Sequence, residues 1–258
     1  MSIADSCLVG MEQKKFFFTL DEALSQISNW ISLRNSKVVL SINLHAISLM
    51  RQDREFHAVY EKADKIRFDG MSAILLARLS GGKSIEKIGA DVLMKGLYPM
   101  VKHEGWTLYL LGGPEGVWER ATKNIRSRFP GLNIVGTNHG YFNAEEERKI
   151  IKKINELSPD ILLVSLGMPR QEKWIHRNRY KLKVGVIISC GGYIEQTANY
   201  SIDYYPDWAY KYNLNWFYRV LKNPRALWKR YFFEGITFVF YLLPKYLLKG
   251  KNWNQHNI

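Results

Sequence analysis

Between Thr19 and Ile194 short apolar runs alternate with longer segments whose apolar positions recur at helical spacing. Thr19-Leu20-Asp21-Glu22 is a capping-box pattern that opens a helix to about Leu33. Lys37 to Asn43 is rich in β-formers, and a helical stretch follows, through Arg51 to Ala63. Lys65 to Phe68 reads as a short strand closed by Asp69-Gly70, with a helix from Met71 to Leu79. Asp91 to Lys102 reads as a helix. Trp106 to Leu111 reads as a strand ending in Gly112-Gly113, and Pro114 starts a helix to about Phe129. Leu132 to Gly136 is a strand, Glu145 to Leu157 a helix, and Asp160 to Leu166 a buried-type strand ending at Gly167. Pro169 to Tyr180 is a helix, and Val184 to Ser189 is a last strand before Gly191-Gly192. This alternation predicts an α/β fold: a Rossmann-like, largely parallel sheet with helices on both faces.

The pattern changes after residue 200. From Ser201 onward nine Lys/Arg stand against three acids, and the segment holds 17 of the chain's 35 aromatic residues. The expected division is an α/β domain over 1–200 and a helical, basic-aromatic appendage over 201–258. The whole chain carries a net charge of +13, which suits an anionic partner. Interleaved cations and rings fit a membrane interface. They also fit a helical cap with core aromatics, or a single-stranded nucleic-acid surface. No apolar run is long enough for a confident span: Glu234, Pro244 and Lys245 interrupt the nearest one, Tyr231 to Leu248. Met1 to Asp5 lacks the start of a signal peptide, and Cys7 and Cys190 show no metal or redox spacing. Reduced thiols in a cytosolic protein are expected.

In open α/β sheets ligands bind beyond the carboxyl ends of the strands. That rule selects Ser41 and Asn43, Asp69-Gly70, Gly112-Gly113, Gly167 to Gln171, and Gly191-Gly192 to Glu195. Glycines there let backbone N–H groups approach a phosphate, a nucleotide-type arrangement, although each taken singly also reads as a tight turn. Asp69 is the acid that stands out. It reads first as an N-cap for the next helix and second as a catalytic group.

Several chemistries are disfavoured. Gly82-Lys83-Ser84 resembles the end of a P-loop, but Ala77 holds the position of the first glycine. Neither a Gly-x-Gly-x-x-Gly fingerprint nor a Gly-x-Ser-x-Gly elbow occurs, which counts against a nucleotide-sugar epimerase and a serine hydrolase. The six histidines are scattered without metal-ligand spacing, and no Asp-x-Asp pair offers a metal clamp for a sugar diphosphate.

Strings spread over residues 37 to 232 resemble the WecG/TagA/CpsF glycosyltransferases, family 26 of the sequence-based classification. They are Ser41-Ile42-Asn43, Ala63-Asp64, Phe68-Asp69-Gly70-Met71, Leu110 to Gly113, Gly136 to Phe142, Pro159 to Val164, Gly167-Met168-Pro169-Arg170-Gln171-Glu172-Lys173, Trp216 to Arg219 and Pro224 to Arg230. The resemblance implies an inverting, metal-independent enzyme without a cofactor. It would move a sugar from a UDP-sugar to a polyprenyl-diphosphate-linked glycan for cell-surface polysaccharide. It implies a Rossmann-like domain whose C-terminal appendage docks on an anionic membrane surface, peripheral on its cytosolic face, and helps complete the site. Nucleic acid is then no partner, and a homo-oligomer is left open. A non-catalytic membrane- or nucleic-acid-binding module is the alternative.

Carried over by position, the resemblance makes Asp69 the general base, with Ser41, Asn43 and Gln171 beside it. Lys87, Gly112, Gly113, Gly167, Gly191, Gly192 and Glu195 become substrate-binding positions, Glu195 near the uracil or ribose. Arg219, Arg225 and Arg230 would neutralise the departing diphosphate, a task they share with simple phospholipid contact. Ser41, Lys87, Ala90 and Ile194-Glu195 depart from the usual Thr, Arg, Thr and Phe-Asp. The transferred sugar, N-acetylmannosamine, its uronic acid or glucose, is therefore open.

Overall fold

A computed structural model describes residues 11–34, 36–80, 84–200 and 202–249. Cys7 and the Gly82-Lys83 pair lie outside the described residues. The sheet has seven strands in the order β1-β3-β2-β7-β6-β4-β5, parallel at every pairing. They are β1 (Phe16–Phe17), β2 (Lys37–Ile42), β3 (Lys65–Phe68), β4 (Thr107–Gly112), β5 (Asn133–Asn138), β6 (Ile161–Ser165) and β7 (Val186–Ser189). All carboxyl ends therefore open on one rim.

Alternation along the strands splits the core into two layers. Leu40, Ile66, Tyr109, Leu162 and Ile187 face one cluster; Val39, Leu108, Leu163 and Ile188 face the other. The first is covered by α2 (Leu44–Gln52), α3 (Arg54–Glu61), α4 (Met71–Leu79), α7 (Ala144–Leu157) and α8 (Arg170–Asn178). The second is covered by α1 (Leu20–Leu33), α5 (Ala90–Glu104), α6 (Val117–Arg128) and α9 (Tyr193–Tyr200). Strands buried on both faces read as continuous apolar runs, which is why β6 and β7 show little alternation in sequence. Burial also pushes the free thiol of Cys190 up to about 12, so it stays protonated.

The expected elements stand with three adjustments. The helical stretch through Arg51 to Ala63 is two helices, because Asp53 ends α2 and its carboxylate accepts from Phe56 N at 3.0 Å to start α3. The segment after Gly113 turns first, with Val117 N donating to Pro114 O, before α6 begins. β1 and α9 were not foreseen: two residues show no period, and α9 follows two glycines with mixed polarity.

Beyond residue 202 come α10 (Asp207–Lys211), α11 (Asn215–Lys222), α12 (Pro224–Thr237), a π-helical segment (Phe238–Leu242) and α13 (Leu243–Lys249). Leu242 is buried in the first core cluster and Phe238 packs against it. The Arg51 guanidinium lies 4.1 Å from the centre of the Tyr241 ring. These contacts seat the helices beside the rim above β2 and β3. Among the described residues no helix is long and apolar enough to cross a membrane.

Candidate active site

Asp69 sits at the tip of β3, its N–H donating to Ile42 O at 2.8 Å. It does not cap the next helix: the N-cap of α4 is Gly70, and no side chain bonds there. The carboxylate is about one-third exposed (36%) and accepts no hydrogen bond from a described residue. Its nearest charge is the Arg67 guanidinium, 3.7 Å away and fully buried. Arg67 donates to Ile88 O at 2.6 Å and Ser189 O at 2.8 Å. Beside Asp69, Asn43 caps α2 through Oδ1, which accepts from Ala46 N at 3.0 Å. That fixes the side chain at the cleft wall.

Asn43, Asp69, Ser72, Lys87 and Asp91 form the floor of a cleft of ≈ 360 Å³, and Tyr205, Trp216, Arg219, Arg230, Tyr231 and Glu234 roof it. A Cβ on Gly89 would lie 2.5 Å from Asp91 Oδ1 and 3.4 Å from Asp69 Oδ1, so the absence of a side chain there lets both carboxylates share the floor. Asp91 accepts a short hydrogen bond from the Tyr210 hydroxyl, and Lys87 donates to Asn215 Oδ1 at 2.7 Å. Burial lowers the Lys87 ammonium below its usual range, and the nearby Asp69 and Asp91 carboxylates oppose that.

The roof brings cations. Burial works against the charge on Arg219, but Tyr231, Tyr205 and the Asp69 carboxylate outweigh it and hold the guanidinium above its usual range. Among the described residues nothing hydrogen-bonds or ion-pairs with it. Arg230 reaches Glu234 at 3.9 Å, and Glu234 Oε1 lies 2.5 Å from His45 Nδ1 on α2. A buried acid of the appendage is thus pinned to the body at the cleft mouth.

The structure thus gathers Asn43, Asp69, Lys87, Arg219 and Arg230 in one cleft. It does not bring Ser41 and Gln171 to the cleft wall. Ser41 is buried, its N–H donating to Ser189 Oγ at 3.1 Å and its carbonyl accepting from the Tyr60 hydroxyl at 2.7 Å. Gln171 is fully buried, with Oε1 accepting from Gly191 N and Nε2 donating to Glu172. Arg225 is exposed at the start of α12, away from the cleft, and Glu195 is exposed in the first turn of α9.

The remaining glycines line the neighbouring stretch of rim, over β7, β6 and β4. Gly112 has φ +143°, and a Cβ there would meet Ser165 O at 2.2 Å, so only glycine fits. Gly113 follows, its carbonyl accepting from Gly140 N at 2.7 Å. At Gly167 and Gly191 an added Cβ would meet nothing within 4 Å, and at Gly192 only the Gln196 amide at 3.6 Å. Arg170, at the start of α8, has its guanidinium 5.1 Å from the centre of the Phe142 ring and 5.8 Å from that of Tyr141. Among the described residues no group of three or more His, Cys, Asp or Glu could hold a metal ion.

Arg67, Asp91, Tyr210 and the His45–Glu234 pair were missed by sequence reasoning. Arg67 left a trace, since a charge inside a four-residue buried strand requires partners. Asp91 looked like an ordinary helix-start acid.

The sequence profile of the glycosyl transferase WecG/TagA/CpsF family matches residues 8–252. An N-acetylglucosaminyldiphosphoundecaprenol N-acetyl-beta-D-mannosaminyltransferase of Bacillus subtilis (strain 168) is 27% identical over 202 residues, 78% of this chain and 77% of that protein. A UDP-Gal:alpha-D-GlcNAc-diphosphoundecaprenol beta-1,4-galactosyltransferase of Shigella boydii is 30% identical over 199 residues, 76% of this chain and 82% of that protein. With its profile matched almost end to end, on a parallel α/β body whose rim carries the Asp69 cleft, this chain belongs to the WecG/TagA/CpsF glycosyltransferase family.

Proposed function

We propose that the protein is an inverting, metal-independent glycosyltransferase. It moves a hexosyl unit from a UDP-sugar to a polyprenyl-diphosphate-linked glycan in cell-surface polysaccharide synthesis. One observation carries the reading: Asp69, a carboxylate that accepts no hydrogen bond among the described residues, shares a cleft with Arg219, a guanidinium that nothing among the described residues pairs with. Asp69 takes the proton of the acceptor hydroxyl while that oxygen attacks the anomeric carbon from the face opposite the diphosphate. The glycosyl–oxygen bond breaks, and its electron pair leaves on UDP. Arg219, Arg230 and Lys87 stabilise the charge that develops on the leaving diphosphate, the electrostatic task a metal performs elsewhere. The glycine-lined stretch from Gly112 to Gly192 receives the nucleotide. In this reading Ser41 and Gln171 support the rim from below, and Asn43 is the polar group at the acceptor side.

The named relatives transfer N-acetylmannosamine or galactose onto GlcNAc-diphosphoundecaprenol. A sugar of that size and a lipid-linked acceptor fit the cleft and its aromatic surroundings. Trp228, Phe232, Phe233 and Phe240 are exposed on the appendage with Arg225 and Lys229 near them in sequence. That suits peripheral attachment to the cytosolic face of a membrane. Asp69→Asn is the deciding variant. Radiolabelled-sugar transfer in EDTA falls by at least ~10²-fold, as expected for loss of a general base, while UDP binding by calorimetry persists. An unchanged rate removes Asp69 from the chemistry.

A further inference from the structure

The Gly191–Gly192 turn is held from below by a chain of two buried side chains. Gly191 N donates to Gln171 Oε1 at 3.1 Å, and Gln171 Nε2 donates to Glu172 Oε1 at 2.6 Å. The Gly191 carbonyl in turn accepts from Ser165 Oγ at 2.5 Å. Gln171 and Glu172 are both fully buried, and Glu172 Oε2 has no hydrogen-bond partner among the described residues. The other ionisable groups acting on Glu172 are the Arg67 guanidinium from β3 and the Tyr60 hydroxyl from α3.

An amide has a donor end and an acceptor end of nearly equal shape, so its orientation is set by its neighbours. An ionised carboxylate can only accept. It draws Nε2 toward itself and aims Oε1 at the turn. With the amide reversed, two N–H groups would face each other and Gly191 N would lose its acceptor, a costly state in a buried setting.

We propose that Glu172 is a positioning residue: by fixing the orientation of the Gln171 amide it holds the Gly191–Gly192 turn in the shape that receives the diphosphate of the donor. This rests on the reading of that rim as a UDP site. Burial raises the Glu172 carboxyl to about 7. Below that pH the acid gains an O–H donor and tolerates either amide orientation. Above it, only one remains.

The test is UDP affinity by calorimetry on the full chain, at pH 6 and pH 8.5. At pH 8.5 Glu172→Leu and Gln171→Met each weaken UDP about tenfold, and the double variant is no weaker than either single one. Glu172→Gln recovers part of the loss. The unmodified protein gains more affinity between pH 6 and 8.5 than Glu172→Gln does, a comparison that cancels the titration of UDP itself. Should Glu172→Leu fail to fold, the pH comparison with Glu172→Gln decides. Equal affinities in all variants, or equal pH slopes, overturn the role of Glu172 and leave the donor site standing. An unmodified protein that does not bind UDP overturns the donor site and this role with it.

Discussion

Arg67 in β3 and Asp69 one residue past its end have their charges 3.7 Å apart, with the cation fully buried and the anion at the cleft. Asp69 N still donates to Ile42 O, which keeps the chain extended enough for two residues i and i+2 to meet on one side. The guanidinium also joins the β3 tip to the loop before α5, through Ile88 O, and to the end of β7, through Ser189 O. Arg67→Met leaves those two carbonyls without donors. We expect a loss of about 2–4 kcal/mol in urea unfolding, together with loss of transfer. A variant as stable as the parent would show that the carbonyls find other donors.

Arg219 should behave in the opposite way. Its guanidinium makes no hydrogen bond or ion pair among the described residues, and the neighbours that favour its charge work against the cost of burying it, so replacement removes both together. Arg219→Leu is expected to melt close to the parent. Its transfer rate should drop by roughly 10²–10³, the scale for removing one electrostatic donor from a developing anion. Calorimetric melting and a transfer assay on the same preparation test both halves.

Glu172 sets a pH dependence of stability. Its carboxyl rises from an ordinary 4.5 to about 7 in the folded protein, because burial penalises the charge. Between those values the native state holds a proton that the unfolded chain gives up. Its contribution is therefore fully present below pH 4.5 and is lost as pH rises through 7. Glu172→Gln should stabilise the protein at pH 8, by up to about 3 kcal/mol, and leave it unchanged near pH 4.5. Melting curves across that range check the sign.

In the proposed function the exposed rings of α12 and the segment after it would address the membrane. Phe232, Phe233 and Phe240 are each more than half exposed (56%, 63% and 78%). Replacing all three by Ser should reduce sedimentation with anionic vesicles by about tenfold or more, given ~25 cal/mol per Å² of apolar surface withdrawn from water, without lowering the melting temperature. Equal sedimentation would assign attachment to the basic side chains alone.

The sequence by itself determined the layers. Short continuous apolar runs closed by turn residues, such as Ile161–Ser165 before Gly167, suit strands covered on both faces, and the segments between them repeat at helical period. It also placed Asp69, Gly112 and Gly191 at strand ends, since the rim follows from parallel topology. Whether Asp69 caps a helix or faces a ligand was not legible, because both uses place an acid before a helix. The fold decided that by making Gly70 the cap. Ser41 and Gln171, adjacent to the site in sequence, went below the rim because a strand and a helix turn inward at those positions.

What only tertiary structure settled is which distant groups meet. Arg67 bonds to residues 21 and 122 positions away, and His45 reaches Glu234 across 189. A hydrogen bond or ion pair depends on atoms within a few ångströms, while the chain's local pattern reports only which face a residue takes. Side-chain polarity and period therefore specified the scaffold. The cleft, with Asp69, Asp91 and Lys87 on the body and Arg219, Arg230 and Glu234 on the appendage, exists only once the two are packed together.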